Sequence, residues 1–333
     1  MSGTYIIAEL SANHNNDFGI AVKSVEAIAQ TGANAVKVQT FTPKSLTLDA
    51  DNEYFGPRIE GLWKGWRPWD LFKIASMPYE WQPKLKKIAE DLGMDFFSSP
   101  FDKEGVDFLE SIYVPSYKVA SLEISDLPLI SYIAEKHKPM IISTGVADEQ
   151  DIVECLHVCR NAGNNDITLL KCTSEYPATI EAANLSTIPD MIKRFGVRVG
   201  VSDHTMGSIV PVVAVSLGAT VVEKHFILDR SKGGPDSAFS MEPSEFTAMV
   251  SAVRDAEKAL GIVKYDVSEK DKKRRRSLFV VEDVKKGEQF TERNIRSIRP
   301  GAGLPPKHID EIVGKVAAND IKKGTPLDWT LIA

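Results

Sequence analysis

The chain has 333 residues, 43% of them hydrophobic and 26% charged, and a formal net charge of −6 at pH 7. This length suits one large domain followed by a small one, and the acidic balance excludes a nucleic-acid partner held by bulk electrostatics. Three cysteines without an even disulfide framework, and the lack of a secretory leader pattern or membrane-length apolar run, predict a cytoplasmic protein with no membrane partner.

Eight apolar segments, each followed by a helical pattern, account for the first 260 residues. Strands are predicted at 5–10, 35–40, 95–100, 116–121, 139–144, 167–173, 197–204 and 220–226. The stretch "GIAVKSVEAIAQTG" is typical of the intervening segments, with apolar residues at helical spacing and a glycine at the end. Eight such units predict an α/β fold, a (β/α)₈ TIM barrel over residues 1–260. A doubly wound open sheet is the structural alternative.

The connection between the second and third predicted strands is the longest in the barrel. It carries four of the five tryptophans, Trp63, Trp66, Trp69 and Trp81. Long loops of barrels can cover the functional site, or they can pack against the outer helices. The sequence leaves both interpretations open for the tryptophan-rich loop at residues 60–78.

The last quarter of the chain differs in composition. Residues 261–276 are polar and end in "DKKRRRS", which in an acidic protein favours a solvated linker over a nucleic-acid-binding segment. Residues 277–333 contain the related segments "VEDVKKGEQF" and "ANDIKKGTPL", each with the pattern strand, turn, strand. They predict a small all-β domain, too short to bury a large core.

The carboxyl ends of the predicted barrel strands are nearly all polar. Reactive groups of TIM barrels lie at these ends, so we expect the site to be built from them. The residues are Glu9, Lys37, Gln39, Ser98, Ser99, Lys118, Ser121, Glu123, Ser143, Thr144, Cys172, Thr173, Ser174, Ser202, Asp203, His204, Glu223, Lys224 and His225.

Three subsets of these side chains indicate chemistry. His204 and His225 end neighbouring strands, so their imidazoles can share a divalent metal whose other ligands are oxygens; a structural histidine pair is the alternative. Lysines and serines facing one cavity suit a phosphate and a carboxylate; they are Lys37, Lys118, Ser99, Ser121, Ser143 and Ser202.

The third subset consists of two glutamates, and the strand-end lysines allow a second mechanism that needs no metal. Glu9 and Glu123 could transfer protons or bind sugar hydroxyls. A lysine at a strand end can also form a Schiff base, as in aldolases that need no metal, and Lys118 or Lys224 could serve. That mechanism would leave the two histidines unexplained.

An ordered set of motifs resembles the sialic acid synthase family of phosphoenolpyruvate-condensing enzymes. It includes "IAELSANHNN", "GANAVKVQTF", "FSSPFD", "YKVASLEI", "ISTGVA", "KCTSEYP", "VGVSDHT", "VEKHFILD" and "GGPDSAFSM". The C-terminal "DVKKGEQF", "SIRPGAGLPP" and "DIKKG" resemble the antifreeze-like SAF (β-clip) domain. Within the family, "AELSANH", "GLW…MPYEWQ" and Ser174 in "CTSEYP", where sialate synthases usually carry asparagine, are most similar to the pseudaminic acid synthases.

The resemblance implies roles for individual residues. It places a Mn²⁺-type ion, with Mg²⁺ or Co²⁺ as alternatives, on His204 and His225, and Gln39 near the metal's water shell. It assigns phosphoenolpyruvate to Lys37, Ser99, Lys118, Ser121, Ser143 and Ser202, and catalytic acid/base work to Glu9. Sugar contacts fall to Glu123, Ser174, Tyr176 and Asp236, while Arg299 would enter the barrel of the partner subunit in a domain-swapped homodimer.

The implied reaction is a transferase-type condensation. Phosphoenolpyruvate, 2,4-diacetamido-2,4,6-trideoxy-L-altrose and water would give a nine-carbon 2-keto acid and phosphate. The alternatives are a synthase for N-acetylneuraminate, legionaminate or a spore-coat nonulosonate, and, more distantly, a Schiff-base aldolase or a non-catalytic carbohydrate-binding protein.

Overall fold

The computed structural model describes residues 3–333, which form two compact units that meet in sequence at Gly261 and Ile262. The first unit is built on eight strands: β1 (Tyr5–Glu9), β2 (Ala35–Thr40), β3 (Asp95–Pro100), β4 (Tyr117–Val119), β5 (Met140–Ser143), β6 (Ile167–Cys172), β7 (Arg198–Asp203) and β8 (Val221–His225).

These eight strands close into a parallel barrel. Each strand pairs with the next, and β8 pairs with β1 through the register Tyr5–Val221 to Glu9–His225. The closure confirms the TIM barrel and rules out the open sheet. Nearly every strand residue is buried, because helices cover the outer face of the sheet while side chains fill its interior.

The helices of this unit lie in the connections between the strands. Several begin at an aspartate whose carboxylate accepts a backbone N–H of the first turn, for example Asp17 from Ile20 and Asp102 from Gly105. The helices are α1 (Phe18–Ala29), α2 (Pro43–Leu46), α3 (Pro68–Ala75), α4 (Gln82–Asp91), α5 (Lys103–Ser111), α6 (Leu127–Ala134), α7 (Glu149–Asn161), α8 (Thr187–Phe195), α9 (Ile209–Ser216) and α10 (Pro243–Leu260).

Six of the strands are shorter than the sequence predicted. The largest difference is at β4, expected over 116–121 and observed as Tyr117–Val119. Beyond Val119 the backbone turns into a short 3₁₀ helix over Ser121–Glu123, in which Glu123 N donates to the carbonyl of Ala120. Polar residues predicted inside strand ends therefore lie in the first turn of a loop, at the mouth of the barrel.

The second unit begins at Ile262 and contains the antiparallel pair β9 (Ser277–Val280) and β10 (Ile295–Ile298), with the short helices α11 (Glu269–Lys272) and α12 (Ile309–Ile312). Part of the expected linker packs on this unit, since the carbonyl of Lys273 accepts from Gly301 N at 2.9 Å. The boundaries 261–276 and 277–333 stay predictions.

The two related segments of the second unit contact each other reciprocally. Asp283 accepts from the backbone N–H of Lys323 at 2.8 Å, and Asp320 accepts from that of Lys286 at 2.9 Å. Between these contacts the backbones of residues 284 and 321 exchange two hydrogen bonds. The sequence repeat thus builds a pair of turns around one small core, which includes Leu278, Val280, Phe290, Ile295, Ile312 and Leu327.

Over residues 3–333, no helix combines the length and the apolar character needed to cross a membrane.

Candidate active site

The registers of the barrel strands bring the predicted residues together. Glu9 lies beside Lys37 on one side and His225 on the other, and Gln39 lies beside Ser99. Alternate residues of a strand point to opposite faces, so the inward-facing set is fixed once one member is placed. The interior at the carboxyl end of the barrel is consequently lined by charged and hydroxyl groups.

A lysine between two carboxylates occupies the centre of this interior. Lys37 Nζ lies 2.5 Å from Glu9 Oε2 and 3.7 Å from Glu223 Oε2, and all three side chains are almost fully buried. Burial alone would lower the pKa of Lys37, but Glu223 and Glu9 together raise it. Burial raises the pKa of Glu9 to about 7 although Lys37 opposes the shift. Glu9 can therefore exchange a proton near neutral pH.

The second lysine stands on the other side of the interior. Lys118 Nζ donates to Ser143 Oγ at 2.7 Å and to the carbonyl of Val119 at 2.8 Å. Burial lowers its pKa. Glu223 has the opposite shift: burial would raise its pKa, but Lys118 and Lys37 hold it below the ordinary value. An anion entering here would find two ammonium groups already oriented by the strands.

Gly145 opens the space next to Lys118. A Cβ at this position would lie 2.2 Å from Ser174 Oγ, 2.9 Å from Ser121 Oγ and 3.1 Å from Cys172 Sγ. Its backbone N–H donates to Ser121 Oγ at 3.1 Å. The glycine allows three polar side chains to approach the backbone closely, which makes a cradle of donors after β5.

The two histidines face each other, with ring centroids 5.2 Å apart. His204 Nδ1 lies 2.8 Å from the carbonyl of Thr173, which places a hydrogen on Nδ1 and leaves Nε2 able to bind a ligand. His225 Nδ1 is buried and has no hydrogen-bond partner in the part of the chain that the structure describes. Burial, followed by the charge of His204, keeps the pKa of His225 well below the ordinary value. A pair of converging imidazoles, one neutral and unpartnered, fits a divalent metal.

In the described part of the chain, His204 and His225 are the two imidazoles positioned for such an ion. Within residues 3–333, no group of three or more histidine, cysteine, aspartate or glutamate side chains is arranged to hold a metal. The remaining ligands would be oxygens from water or substrate, which keeps positions open for catalysis.

Aromatic side chains border the histidines on the side assigned to sugar. The ring of Tyr176 lies 4.4 Å from His204 and 5.6 Å from Trp63. Trp63 Nε1 donates to the carbonyl of Pro235 at 2.9 Å. By contrast, Trp81 packs against His14, with ring centroids 5.7 Å apart. The long connection therefore does both things left open by the sequence: Trp63 borders the site, and Trp81 packs on the barrel.

Gln39, Ser11 and Asp236 form a hydrogen-bonded chain beside Glu9. Gln39 Nε2 donates to Glu9 Oε1 at 3.2 Å and to Ser11 Oγ at 3.1 Å. Ser11 Oγ in turn donates to Asp236 Oδ2. Asp236 is buried, and burial raises its pKa although Ser11 and the N–H of Ala12 lower it.

Glu123 ends the 3₁₀ turn that follows β4. Its Oε2 is buried without a hydrogen-bond partner among residues 3–333, and burial raises the pKa of the carboxyl to about 7 although Lys118 opposes the shift. Ser202, at the end of β7, donates to Glu223 Oε1 at 3.0 Å. Ser99 Oγ accepts from Lys37 at 3.4 Å.

Several polar strand-end residues serve the scaffold. On β8 the side chain of Lys224 points to the opposite face of the sheet from those of Glu223 and His225. Its Nζ lies 2.5 Å from Asp203 Oδ2. Lys224 therefore does not face the barrel interior, where a Schiff-base lysine would have to lie. Ser98 Oγ donates to the carbonyl of Val38, and Thr144 Oγ1 donates to that of Leu170. Arg299 is exposed on the second unit.

Sequence reasoning gave no role to some of the residues found here. Glu223 was noted as a strand-end residue, and its position two residues before His225 could have identified it as inward-facing. Cys172 lies beside His204; burial would raise the pKa of the thiol, but His204 lowers it to about 7. Ser11 carries no local signal, and nothing in the sequence separates Trp63 from the other tryptophans of its connection, because both act through contacts with distant segments.

The volume of a cavity does not identify the candidate active site, because a large cavity lies elsewhere on the barrel. A cleft of about 940 Å³ lies at the opposite, amino end of the strands. Among its lining residues, Tyr5 Oη donates to Asp95 Oδ2 at 2.5 Å and Thr220 Oγ1 donates to the carbonyl of Val199. The polar cluster at the carboxyl end is the candidate active site on chemical grounds.

Known proteins share both the barrel and the smaller unit. The sequence profile of the NeuB family matches residues 24–265, and that of the SAF domain matches residues 275–333. The chain is 47% identical to the pseudaminic acid synthase of Campylobacter jejuni serotype O:2 over 97% of this chain and 95% of that protein. It is 45% identical to the pseudaminic acid synthase of Helicobacter pylori over 97% and 96%.

More distant relatives align over similar lengths. The N,N'-diacetyllegionaminic acid synthase of Legionella pneumophila is 35% identical over 98% of this chain and 93% of that protein. The crystal structure of spore coat polysaccharide biosynthesis protein SpsE from Bacillus subtilis has a TM-score of 0.68 and 33% identity, over 99% of this chain and 95% of that one. The chain therefore belongs to the NeuB family and carries an SAF domain after its barrel.

Proposed function

We propose that this chain is a pseudaminic acid synthase, a transferase that condenses phosphoenolpyruvate with 2,4-diacetamido-2,4,6-trideoxy-L-altrose and water. The observation that carries the proposal is the buried cluster of Lys37, Lys118, Glu9 and Glu223 beside two converging histidines. The sugar substrate is assigned from sequence identity: the chain is 45–47% identical to two pseudaminic acid synthases and 35% identical to a legionaminic acid synthase.

Phosphoenolpyruvate would bind between the two lysines. Its phosphate and carboxylate need several donors at once, and Lys37 and Lys118 supply charge while Ser99, Ser121, Ser143 and Ser202 supply hydroxyls. The space left by Gly145 admits an anion close to the backbone. Because the lysines are held by strands before the ligand arrives, little reorganisation is needed when charge develops.

A divalent metal would be held by His204 and His225. Synthases of the NeuB family are generally dependent on a divalent metal, and we propose Mn²⁺, with Mg²⁺ or Co²⁺ as alternatives. Such an ion, when bound, polarises the aldehyde of the open-chain sugar. Gln39 and Asp236 lie on the same side of the interior and would orient hydroxyls of the sugar and water.

The reaction forms one C–C bond and breaks one C–O bond. The C2=C3 electron pair of phosphoenolpyruvate attacks the aldehyde carbon of the sugar, which leaves positive charge at C2. Glu9, protonated when phosphoenolpyruvate binds, would pass its proton to the developing alkoxide on the former aldehyde carbon, and its carboxylate would then accept a proton from the water that adds at C2; a pKa of about 7 suits both transfers. Collapse of the tetrahedral intermediate expels phosphate, with the bridging oxygen, and leaves the 2-keto group. Water thus supplies two protons: one restores Glu9, and the other leaves the C2 hydroxyl with the phosphate.

The sugar itself would lie against Tyr176 and Trp63, with Glu123, Ser174 and Asp236 as polar contacts. An aromatic wall suits a 6-deoxy sugar, because a methyl group there contacts rings instead of leaving a buried hydroxyl unpaired.

Phosphate release tests this function directly. Purified protein is incubated with phosphoenolpyruvate, Mn²⁺ and one sugar, and any product is analysed by mass spectrometry. The diacetamido-trideoxy-altrose should give phosphate and a nine-carbon keto acid, whereas N-acetylmannosamine and the legionaminate precursor should give little. Turnover on N-acetylmannosamine or the legionaminate precursor alone would contradict the sugar assignment; a Lys118→Ala variant that kept full activity would contradict the assigned site.

We further propose that Arg299 completes the site of a second subunit in a domain-swapped homodimer. The supporting observation is a set of exposed apolar residues in loops and at a helix start around the barrel mouth, each between 43% and 73% exposed: Leu122, Val146, Ile180, Met206 and Ile209. Such a rim at the mouth of a barrel favours coverage by another protein surface.

Mixing two inactive variants tests the swap. Arg299→Ala should lose turnover while keeping its melting temperature, and Lys307→Ala, an exposed cation of the same unit, should keep its activity. Random re-pairing of Arg299→Ala with Lys118→Ala places one intact site in each mixed dimer, which should restore about a quarter of wild-type activity. Absence of this rescue, with dimers re-formed, would show that Arg299 does not act in trans.

A further inference from the structure

Ser11 has an unusual backbone for a buried residue of its type. It lies two residues after the end of the first barrel strand, is 4% exposed, and has φ +48°. Positive φ is uncommon outside glycine, and among the other residues asparagine and aspartate adopt it most readily. Asn15 and Asn16 of the same loop, at φ +48° and +58°, follow that preference. Ser11 does not follow that preference, which indicates that contacts of its side chain hold the backbone in this conformation.

The hydroxyl of Ser11 joins two side chains from distant parts of the chain. It accepts from Gln39 Nε2 at 3.1 Å and donates to Asp236 Oδ2. The adjoining N–H of Ala12 donates to the same Oδ2 at 3.2 Å. Asp236 Oδ1 has no hydrogen-bond partner in the described part of the chain. One carboxylate oxygen is thus occupied by the loop, and the other is left for a donor that the protein does not supply.

We propose that Ser11 is a positioning residue for the sugar: through its positive-φ backbone, the hydroxyl fixes the carboxylate of Asp236 and the amide of Gln39, so that Oδ1 accepts a hydroxyl or acetamido N–H of the amino sugar. The inference rests on the proposed function in that the bound molecule is an amino sugar. It assigns to Ser11 an effect on sugar binding and orientation, separate from phosphoenolpyruvate binding between the lysines.

The surroundings explain why a rotation of Asp236 is otherwise possible. The backbone carbonyl of Asp236 is tied to Ser240, which accepts from Asn13 at 2.8 Å. These contacts hold the main chain and leave the side-chain torsion to Ser11 and Ala12. Loss of the Ser11 hydroxyl removes one of the two donors to Oδ2 and also the link to Gln39.

Two substitutions separate the hydroxyl from the backbone. Ser11→Gly removes the hydroxyl and relieves the positive φ, whereas Ser11→Ala removes the hydroxyl and keeps the unfavourable backbone. Both should lower kcat/KM for the sugar by about 10-fold to 100-fold, the range for a hydrogen bond to a charged group, with KM for phosphoenolpyruvate within about twofold. Ser11→Gly should melt above Ser11→Ala, because only the glycine relieves the positive φ. Asn16→Gly, which relieves the same backbone conformation at an exposed position, is the matched control and should keep wild-type kinetics.

A double-mutant cycle with Asp236→Asn tests the route of the effect. If Ser11 acts through Asp236, Ser11→Gly should cost less than about twofold in the Asp236→Asn background. The proposal would be overturned if the losses in kcat/KM of the two single variants multiplied in the double variant. It would also be overturned if Ser11→Gly had a kcat/KM near that of wild type, or if it lost phosphoenolpyruvate binding and melting temperature in parallel. The sugar used is the one that the wild-type protein turns over best among nonulosonate precursors. A wrong sugar assignment would therefore appear in the wild-type panel and not in the cycle.

Discussion

Phosphoenolpyruvate binding should take up a proton at Glu9. In the free protein the Glu9 carboxyl has a pKa of about 7 and lies 2.5 Å from Lys37 Nζ. A trianionic ligand that binds to Lys37 competes with Glu9 for the ammonium group and repels the carboxylate, so both effects raise the pKa of Glu9. Below pH 7 the proton is already present, and above pH 7 it must be taken up on binding.

The size of the effect follows from that pKa. If binding requires protonated Glu9, the Kd for phosphoenolpyruvate should rise about fivefold from pH 7 to pH 8 and about tenfold more to pH 9. Each further pH unit costs about 1.4 kcal/mol of binding free energy. Glu9→Gln carries no titrating carboxyl, so its Kd should vary far less over this range and should be lower than wild type at pH 8. Its turnover should fall by about 10²-fold to 10⁴-fold, because the general acid/base is lost.

Titration calorimetry checks both parts. Phosphoenolpyruvate is titrated into wild type and Glu9→Gln at pH 7, 8 and 9, with metal loading held constant and no sugar present. Repeating the pH 8 titration in two buffers with different ionisation enthalpies counts the protons taken up, and the wild type should approach one. A wild-type Kd that does not change with pH, or the same pH slope in Glu9→Gln, would refute the reasoning, since only the wild type carries the Glu9 carboxyl.

Three other substitutions have distinct expected outcomes. His204→Ala should reduce turnover to background, as should chelation of the wild type, and added Mn²⁺ should restore only the chelated wild type; full activity after chelation would remove the metal assignment. Gly145→Ala places a Cβ among two hydroxyls and a thiol, so KM for phosphoenolpyruvate should rise at least about tenfold while the protein stays folded; an unchanged KM would show that the anion binds elsewhere. Trp63→Ala should raise KM for the sugar by about 10-fold, the order expected for a lost aromatic contact, whereas the more exposed Trp66→Ala should not; equal effects would show that the loop acts only through packing.

The fold was predictable from the sequence because the barrel strands are apolar runs buried on both faces and most of the longer helices between them are amphipathic. The histidine pair was also predictable, since strand-end position alone placed His204 and His225 side by side. Strand ends were the least certain element: at β4 the backbone leaves the sheet after Val119, and Ser121 and Glu123 reach the site from a 3₁₀ turn.

Other parts of the site depend on tertiary contacts that no local pattern records. Trp63 and Trp81 occupy one connection and look equivalent in the sequence, yet one borders Tyr176 and the other packs on His14. The partner of Ser11 is Asp236, 225 residues away. Periodicity identifies which face of an element is buried, and it cannot identify which two buried side chains meet.

The barrel contains two kinds of buried lysine. One kind stabilises the scaffold, and the other belongs to the candidate active site; their partners distinguish them. Lys224 bonds to Asp203 and to the carbonyl of Thr205, so its charge is matched by fixed partners behind the strands. Lys37 lies near two carboxylates, and one of their oxygens, Glu223 Oε2, has no hydrogen-bond partner within residues 3–333.

Unpaired polar atoms in a buried cluster reduce stability, and a sealed ion pair would be the cheaper arrangement for a purely structural core. Glu123 Oε2 and His225 Nδ1, in the same interior, also lack a hydrogen-bond partner among the described residues. A cluster with surplus acceptors, a Glu9 carboxyl of raised pKa and two converging imidazoles therefore suits ligands that bring their own charge. Replacing Lys37 by Met should accordingly abolish phosphoenolpyruvate binding, whereas Lys224→Met should mainly lower the melting temperature; loss of binding in both variants with equal destabilisation would show that the two lysines have the same role.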